Sequence, residues 1–173
     1  MKRIITAIVQ NKSGVLNRVT GLLQRRQFNI ESITVGPTEV EGISKMTLVV
    51  EVGDSMKLEQ LTKQLHKQID VLKVSDITDK SVVSRELALI KVSSTGHIRH
   101  EIKEIIEPFR PAVIDVAKDS ITIQVTGKPE KVEALIELLR PYGIKEIART
   151  GLTALLRGSQ QNVSEMPAFS MHK

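Results

Sequence analysis

The spacing of apolar residues along this chain of 173 residues changes period in the same order twice. In each half, a β-branched run gives way to helical spacing, then to two alternating runs, a second helical stripe and a closing apolar run. In the first helical stripe, for example, Val15, Val19 and Leu22 recur at intervals of four and three residues. The pattern therefore predicts an α+β fold with two units of the same topology.

We predict the order βαββαβ in both halves, which is typical of ferredoxin-like domains. The predicted strands lie at 3–10, 28–37, 45–52 and 71–78 in the first unit, and at 85–92, 112–117, 120–126 and 144–150 in the second. The predicted units are residues 1–78 and 85–157, with a linker at 79–84 and a mobile tail at 158–173. Because the linker is short, we expect the two units to pack against each other.

The second helix of the first unit illustrates how its ends and faces are predicted. Asp54 or Ser55 can cap its first turn, because a side-chain oxygen there accepts a hydrogen bond from a free amide. Its apolar stripe is predicted to comprise Leu58, Leu61, Leu65 and Ile69.

Composition and charge exclude several classes of protein. The chain has no cysteine, which excludes disulfides and thiolate metal sites. No apolar run reaches the roughly 18 residues of a membrane-spanning helix, and the start lacks the cleavage site of a signal peptide, so we expect a cytoplasmic location. The net charge of +5 divides as +3 in residues 1–78 and +2 in residues 79–157, without a basic patch. Three Phe, one Tyr and no Trp are too few for a base-stacking platform, so we expect no nucleic-acid partner.

The residues offer no convincing catalytic or metal-binding set. His97 and His100 are spaced to face the same way at the start of a helix, with Glu101 and Glu104 nearby. A zinc site would need a separate third ligand, and none stands at a suitable spacing. Neither a Walker loop nor a dinucleotide fingerprint is present. We therefore predict no catalytic residue, no metal site and no cofactor in this chain.

The segment from Asn11 to Leu16 (NKSGVL) joins a predicted strand to a predicted helix. Free amides at the start of a helix suit a carboxylate, and Gly14 would let a ligand approach the backbone closely. The amide of Asn11 is able to bind both an amino and a carboxylate group, and the apolar residues Val15 and Leu16 follow. The residues alone leave a second interpretation open, in which Asn11 or Ser13 simply caps the helix and Gly14 serves a turn.

The chain closely resembles an ACT domain over residues 3–34, which read RIITAIVQNKSGVLNRVTGLLQRRQFNIESIT. More narrowly, it resembles the regulatory (small) subunits of bacterial acetolactate synthase, also called acetohydroxyacid synthase. Further similar runs lie at 61–76 (LTKQLHKQIDVLKVSD), 85–92 (RELALIKV) and 146–151 (EIARTG). The resemblance therefore covers about residues 2–158, which include both predicted units.

This resemblance implies a regulatory role in branched-chain amino-acid biosynthesis. Members of the family activate a separate catalytic large subunit that uses thiamine diphosphate, Mg²⁺ and FAD, and they confer feedback inhibition, usually by valine. ACT domains pair as side-by-side dimers, with the effector between the strand–helix turn of one chain and the second strand of its partner. By this resemblance the effector-binding residues are Asn11, Gly14, Val15, Leu16, Asn29 and Ile30. The corresponding turn of the second half, residues 93–96, lacks the asparagine, so no effector site is predicted there.

Two other interpretations remain open at this point. An ACT protein of another kind would sense an amino acid on behalf of a transcriptional partner or a different enzyme. A small enzyme on a ferredoxin-like fold would need a clustered acid–base set, which the sequence does not provide. Fold-level analogy alone does not separate these interpretations from the regulatory-subunit one.

Overall fold

The computed structural model describes residues 1–158 and contains two main antiparallel sheets, one in each half of the chain. The first half contains β1 (Lys2–Gln10), α1 (Val15–Arg25), β2 (Asn29–Pro37), β3 (Ile43–Glu51), α2 (Ser55–His66) and β4 (Val71–Asp76). The second half contains β5 (Val82–Ser93), α3 (Gly96–Ile106), β6 (Ala112–Val116), β7 (Ser120–Gly127), α4 (Pro129–Leu139), β8 (Ile144–Arg149) and β9 (Thr153–Leu156). Both halves follow the predicted βαββαβ order, so the predicted α+β class with two ferredoxin-like units is confirmed.

The first sheet has the strand order β2-β3-β1-β4, so β2 and β4 form its edges. Side chains alternate between the two faces of a strand, and one face of this sheet packs against α1 and α2. The shared core includes Ile5, Ala7, Val9, Val19, Leu23, Met46, Leu48, Val50, Leu61 and Leu65. The alternate residues lie on the opposite face, here called the open face, which includes Ser32 and Thr34 of β2 and Thr47 and Val49 of β3.

The second sheet has the strand order β6-β7-β5-β8 and a core of its own against α3 and α4. This core includes Ala88, Ile90, Val92, Ile102, Ile106, Ile121, Ile123, Val125, Val132, Leu135, Ile136 and Leu139. Burying a Leu or Ile side chain completely stabilises a fold by about 1.5–3 kcal/mol. Each half therefore holds together mainly through contacts within itself.

Strand β5 is longer than predicted and takes part in two separate pairings. Its first residues, Val82–Arg85, pair with β9, whereas Glu86–Ser93 pair with β7. Residues 82–84 of the predicted linker therefore belong to a strand, and the connection between the halves is shorter than the predicted 79–84. Strand β9 is an element that the sequence pattern does not predict.

Local details of the first half agree with the sequence pattern except at one residue. The Asp54 side chain caps α2 as predicted, accepting a hydrogen bond from the Lys57 amide at 2.8 Å. The predicted stripe is wrong at Ile69, which is 90% exposed because α2 ends at His66 and the chain then turns into β4. The predicted mobile tail lies outside the described residues from position 159 onward.

Candidate functional site

The turn between β1 and α1 leaves the first amides of the helix without a side-chain cap. Gly14 is the N-cap residue, with φ of 82° and ψ of −7°, a left-handed conformation that glycine adopts without steric strain. No side chain in residues 1–158 caps this helix through a hydrogen bond. The interpretation that Asn11 or Ser13 caps α1 is therefore wrong. The Val15 amide donates to the Lys12 carbonyl at 3.4 Å, so the Leu16 and Asn17 amides are the ones available to an anion.

Asn11 is exposed directly after the last residue of β1. Its backbone amide donates a hydrogen bond to the carbonyl of Gly42 at 2.7 Å. This bond ties the β1–α1 turn to the hairpin between β2 and β3. The backbone of Asn11 is thus fixed in position at the beginning of the turn.

Arg18 adds a cation that the sequence analysis did not single out. Its Nη1 atom lies 3.3 Å from the position that a Cβ atom would occupy on Gly14. Its Nη2 atom donates to the carboxylate of Asp70, a residue that is only 8% exposed. Helical side chains point back toward the N-terminus, so a cation four residues after Gly14 covers the turn. That spacing is the signal of Arg18 in the sequence, although a solvated cation on the outer side of a helix shows the same spacing.

Val15 and Leu16 have different surroundings although they are adjacent. Val15 is 3% exposed and belongs to the first core, so any contact with a ligand at the turn would come from its backbone. Leu16 is 44% exposed on the outer side of the same helical turn. Of these two predicted site residues, only Leu16 offers an apolar side chain to a ligand.

Asn29 and Ile30 open strand β2. The side-chain amide of Asn29 donates to the Glu51 carboxylate at 3.2 Å, and the residue is exposed. Ile30 is half-buried and packs on the edge of the first core. Glu31 follows as an extra residue in a β-bulge, and Lys2 holds its carboxylate at 2.7 Å. This hydrogen bond to Glu31 raises the pKa of Lys2.

Within one chain, the structure does not bring the two parts of the predicted site together. Asn29 pairs with Glu51, and Glu51 pairs with Lys2 at the start of β1. Asn11 instead follows Gln10, the last residue of that strand. Because a strand rises about 3.3 Å per residue, the nine steps from Lys2 to Asn11 put roughly 30 Å between the two groups.

Two family models match the chain, one in each half. The model described as "AHAS small subunit-like ACT domain" matches residues 5–73, which contain the β1–α1 turn and all of β2. The model described as "Small subunit of acetolactate synthase" matches residues 85–158. The chain belongs to the family of acetolactate synthase small subunits.

Relatives of this family are similar over nearly the whole length of the chain. The acetolactate synthase small subunit of Bacillus subtilis is 64% identical over 171 residues, covering 99% of each chain. A probable acetolactate synthase small subunit of Archaeoglobus fulgidus is 53% identical, covering 93% of this chain and all of the relative. The crystal structure of the small subunit from Thermotoga maritima superposes with a TM-score of 0.83 at 41% identity, covering 91% of this chain and 98% of that one.

Membership of this family implies a regulatory role for the chain, which carries an ACT domain. Branched-chain amino-acid biosynthesis follows from the family name. The comparisons thus favour the regulatory-subunit interpretation over the two alternatives that the sequence left open. ACT domains bind amino acids, which directs attention to the β1–α1 turn.

The corresponding turn of the second half of this small subunit is held by hydrogen bonds at Ser94 and Arg99. Ser94 is fully buried, and its amide donates to the Asp119 carbonyl at 2.9 Å. Arg99 donates to the Ser94 hydroxyl at 3.3 Å and to the Ala117 carbonyl at 2.7 Å. Both turns thus have an amide bonded to the neighbouring hairpin and an arginine near the start of the helix; the second turn differs in lacking an asparagine.

None of the helices in residues 1–158 of this small subunit combines the length and the apolar character needed to cross a membrane. No cluster of three or more His, Cys, Asp or Glu residues in the same range is arranged to hold a metal ion. His97 and His100 lie in the first turns of α3 and take part in no such cluster.

Proposed function

We propose that this small subunit activates the large subunit of acetolactate synthase and makes it sensitive to feedback inhibition by valine or a related branched-chain amino acid. The effector binds between the β1–α1 turn of one chain and the start of β2 in a second copy. The large subunit supplies the thiamine-dependent transferase chemistry, with thiamine diphosphate, Mg²⁺ and FAD, and this chain contributes no catalytic residue. The observation that carries the proposal is the separation of Asn11 from Asn29 at opposite ends of one sheet.

Pairing of two chains through β2 would bring these two ends together. β2 is nine residues long and lies at the edge of its sheet, where pairing with a second copy satisfies its outer backbone groups. In an antiparallel pair about a twofold axis, the first residue of one strand lies beside the last residue of the other. The last residue of β2, Pro37, pairs with Ser44 of β3. This pair lies at the same end of the sheet as Asn11. The second copy's Asn29 would therefore approach the β1–α1 turn.

The groups at such an interface complement a branched-chain amino acid. The uncapped amides of α1, with the guanidinium of Arg18 beside them, favour a carboxylate. The amide oxygens of Asn11 and Asn29 accept hydrogen bonds from an ammonium group. The side chains of Leu16 and Ile30 offer an apolar surface to a branched side chain, while Val15 contributes its backbone.

We assign effector binding and dimerisation to a domain of residues 1–78, with a second domain at 85–157. Each range has a core of its own, which supports this division. Effector binding then acts by linkage, because it favours one arrangement of the paired ACT domains and the large subunit's activity differs between arrangements. Couplings of this kind are typically about 1–3 kcal/mol.

The sharpest test is complementation between two defective chains. In a Gly14→Asp chain the turn is damaged, and in an Asn29→Ala chain the start of β2 is damaged. A mixed dimer of the two has one site in which both parts are intact, whereas each homodimer has none. Co-expressed variants, assembled with the large subunit, should therefore regain valine inhibition of acetolactate formation that neither variant shows alone.

The controls distinguish damage to the effector site from failure of the chains to fold or dimerise. Sedimentation should give at least a dimer for the wild-type small subunit and for both variants, and circular dichroism should show that all are folded. A monomeric wild-type chain at micromolar concentration with valine present would contradict the shared site. So would a mixture that stays insensitive to valine although mixed dimers are present.

A further inference from the structure

The segment Thr150–Thr153, which runs from the end of β8 to the first residue of β9, lies against the open face of the first sheet at β2. The Thr34 hydroxyl donates to the Leu152 carbonyl at 2.9 Å, and the Leu152 amide donates to the Ser32 hydroxyl at 3.5 Å. Leu152 is only 5% exposed. We call this contact the β2 clamp, and it joins the second half of the chain to the strand at which the proposed effector site begins.

Gly151 is the closest point of the β2 clamp. It has a φ of 82°, a left-handed conformation that strains other residues. A Cβ atom built on Gly151 would lie 2.8 Å from the Cβ of Ser32, which is closer than two carbon atoms approach without displacement. Both its backbone conformation and the space around it therefore require glycine.

The clamp is firmly attached to the second sheet. The Thr150 amide donates to the Leu87 carbonyl at 3.0 Å, and the Leu87 amide donates back to the Thr150 hydroxyl at 3.1 Å. The preceding residue, Arg149, donates to Glu86, which is 5% exposed, and to Glu133 at 3.0 Å. A displacement of the segment at β2 is therefore passed to β5 and α4 rather than absorbed by a loose loop.

On the other side, the clamp touches β2 directly after an irregularity in that strand. Ile30 pairs with Val50 and Ser32 pairs with Val49, so Glu31 is the extra residue of a β-bulge. A bulge bends a strand locally and changes the direction of the side chains beside it. The effector residues proposed above lie just before the bulge, and the clamp residue Ser32 lies just after it.

The two halves are not in contact along the whole of this face. Beside the clamp lies a cleft of about 740 Å³. One of its walls carries the Lys2–Glu31 ion pair and the other carries the Arg149–Glu86 ion pair. The clamp thus lies at the edge of an open space, at the point where the second half forms hydrogen bonds to β2.

We propose that Gly151 is a positioning residue that couples the effector site to the second half of the chain through its close contact with Ser32. This inference rests on the function proposed above, because it concerns how the bound amino acid acts. Effector contact with Asn29 and Ile30 shifts the bulged part of β2, and Gly151 transmits that shift to β8 and β5. The coupling depends on the tight fit at Gly151 and not on any contact of Gly151 with the effector.

The test compares Gly151→Ala with Gly158→Ala in the full small subunit assembled with the large subunit. Gly158 also has a left-handed φ of 70°, but no described heavy atom lies within 4 Å of its Cβ position, so this control carries the backbone strain without the collision. For Gly151→Ala, we expect the ratio of activities without and with saturating valine to fall by about tenfold. Activation without valine, and the Kd for valine measured by calorimetry on the small subunit, should not change.

A second pair of variants tests the same contact in case Gly151→Ala does not fold. Thr34→Val removes the hydroxyl that holds Leu152 while keeping the shape of the strand, and it should weaken inhibition in the same direction. Adding Ser32→Gly to Gly151→Ala removes the colliding Cβ and should restore part of the inhibition. If Gly151→Ala does not fold, an unchanged response of Thr34→Val overturns the proposal.

The remaining outcomes are distinguishable. Wild-type inhibition in folded Gly151→Ala, loss of valine binding in that variant, or an equal effect of Gly158→Ala would overturn the coupling role alone. A wild-type small subunit that neither binds valine nor confers inhibition would overturn the proposed function, and the coupling with it.

Discussion

Arg18 holds its guanidinium over Gly14, with Nη1 3.3 Å from the position that a Cβ atom would occupy there. The same guanidinium is bound to the nearly buried carboxylate of Asp70. A side chain introduced at position 14 therefore meets a cation that already has a partner, at the point where a carboxylate would approach the start of α1.

Gly14→Asp should greatly weaken valine inhibition while leaving the fold and the activation of the large subunit largely intact. Aspartate is among the residues that tolerate the left-handed conformation, so we expect a loss of about 1–2 kcal/mol in stability at most. Its carboxylate would repel the effector carboxylate and compete for Arg18. A loss of 1.4 kcal/mol corresponds to about a tenfold rise in Kd, which calorimetry with valine would measure directly.

Gly14→Asn is the matched control for this substitution. Asparagine has nearly the same size and the same tolerance of positive φ, but no charge. Aspartate should therefore weaken valine binding more than asparagine does. Equal losses would indicate that space rather than charge matters, and unchanged binding in both folded variants would contradict the site at the β1–α1 turn.

Asp76 should make the stability of the first half dependent on pH in the acid range. Burial raises the pKa of Asp76, but hydrogen bonds from Thr78 and from the Arg3 guanidinium outweigh burial and lower the pKa overall. Its contribution to the free energy of unfolding is thus present above its ordinary pKa of about 3.9 and is lost as pH falls through the lowered value. Asp76→Asn should be less stable than wild type at neutral pH, with a difference that narrows below about pH 4. Urea unfolding of both proteins at a series of pH values measures this difference in the free energy of unfolding. A difference that stays constant with pH would contradict the assignment to Asp76.

Lys45 should destabilise the fold at neutral pH. Its ammonium group lies half-buried on the open face of the first sheet, and burial lowers the pKa of Lys45, although Glu39 partly opposes this. A lowered lysine pKa means that the folded state disfavours the charge, so stability rises as pH rises from the folded pKa toward the ordinary value of about 10.4. Lys45→Met should therefore raise the midpoint of thermal unfolding at pH 7. The gain should shrink above pH 10, and a lower midpoint at pH 7 would show that the ammonium has a favourable partner.

A fragment of residues 1–80 should fold and retain some activation of the large subunit, but lose its response to valine. The fragment contains the whole first core, which supports independent folding. It lacks the Thr150–Thr153 segment, so the open face at Ser32 and Thr34 is uncovered. Circular dichroism and acetolactate assays with and without valine would check this. A folded fragment that fails to bind the large subunit would assign the activating contact to the second half.

The order of the helices and strands was predictable because the apolar period records which face of each element is buried. The exception at Ile69 shows the limit of that signal, since the apolar spacing continues past His66 although the helix does not. Strand β9 was not predictable for a different reason. It has only four residues, and its partner on β5 lies about 70 positions earlier, so no local pattern marks it.

The candidate site was predictable only in part. Gly14 was correctly assigned to a turn at the start of a helix, whereas the identity of the effector residues came from the family resemblance. Arg18 was missed because a single cation on the outer side of a helix has the same pattern as a solvated one. That Asn11 and Asn29 lie at opposite ends of a sheet follows from strand pairing, which the sequence does not display.

The β2 clamp joins residues that are 120 positions apart, which bears on the order in which the chain is made. During synthesis, the first sheet has all four of its strands once Asp76 has left the ribosome, and it is free to fold then. Ser32 and Thr34 must wait until Leu152 emerges. A nascent small subunit would thus form its effector turn long before it forms the contact that couples the turn to the second half. A chain released early would fold in its first half but would not respond to its amino acid.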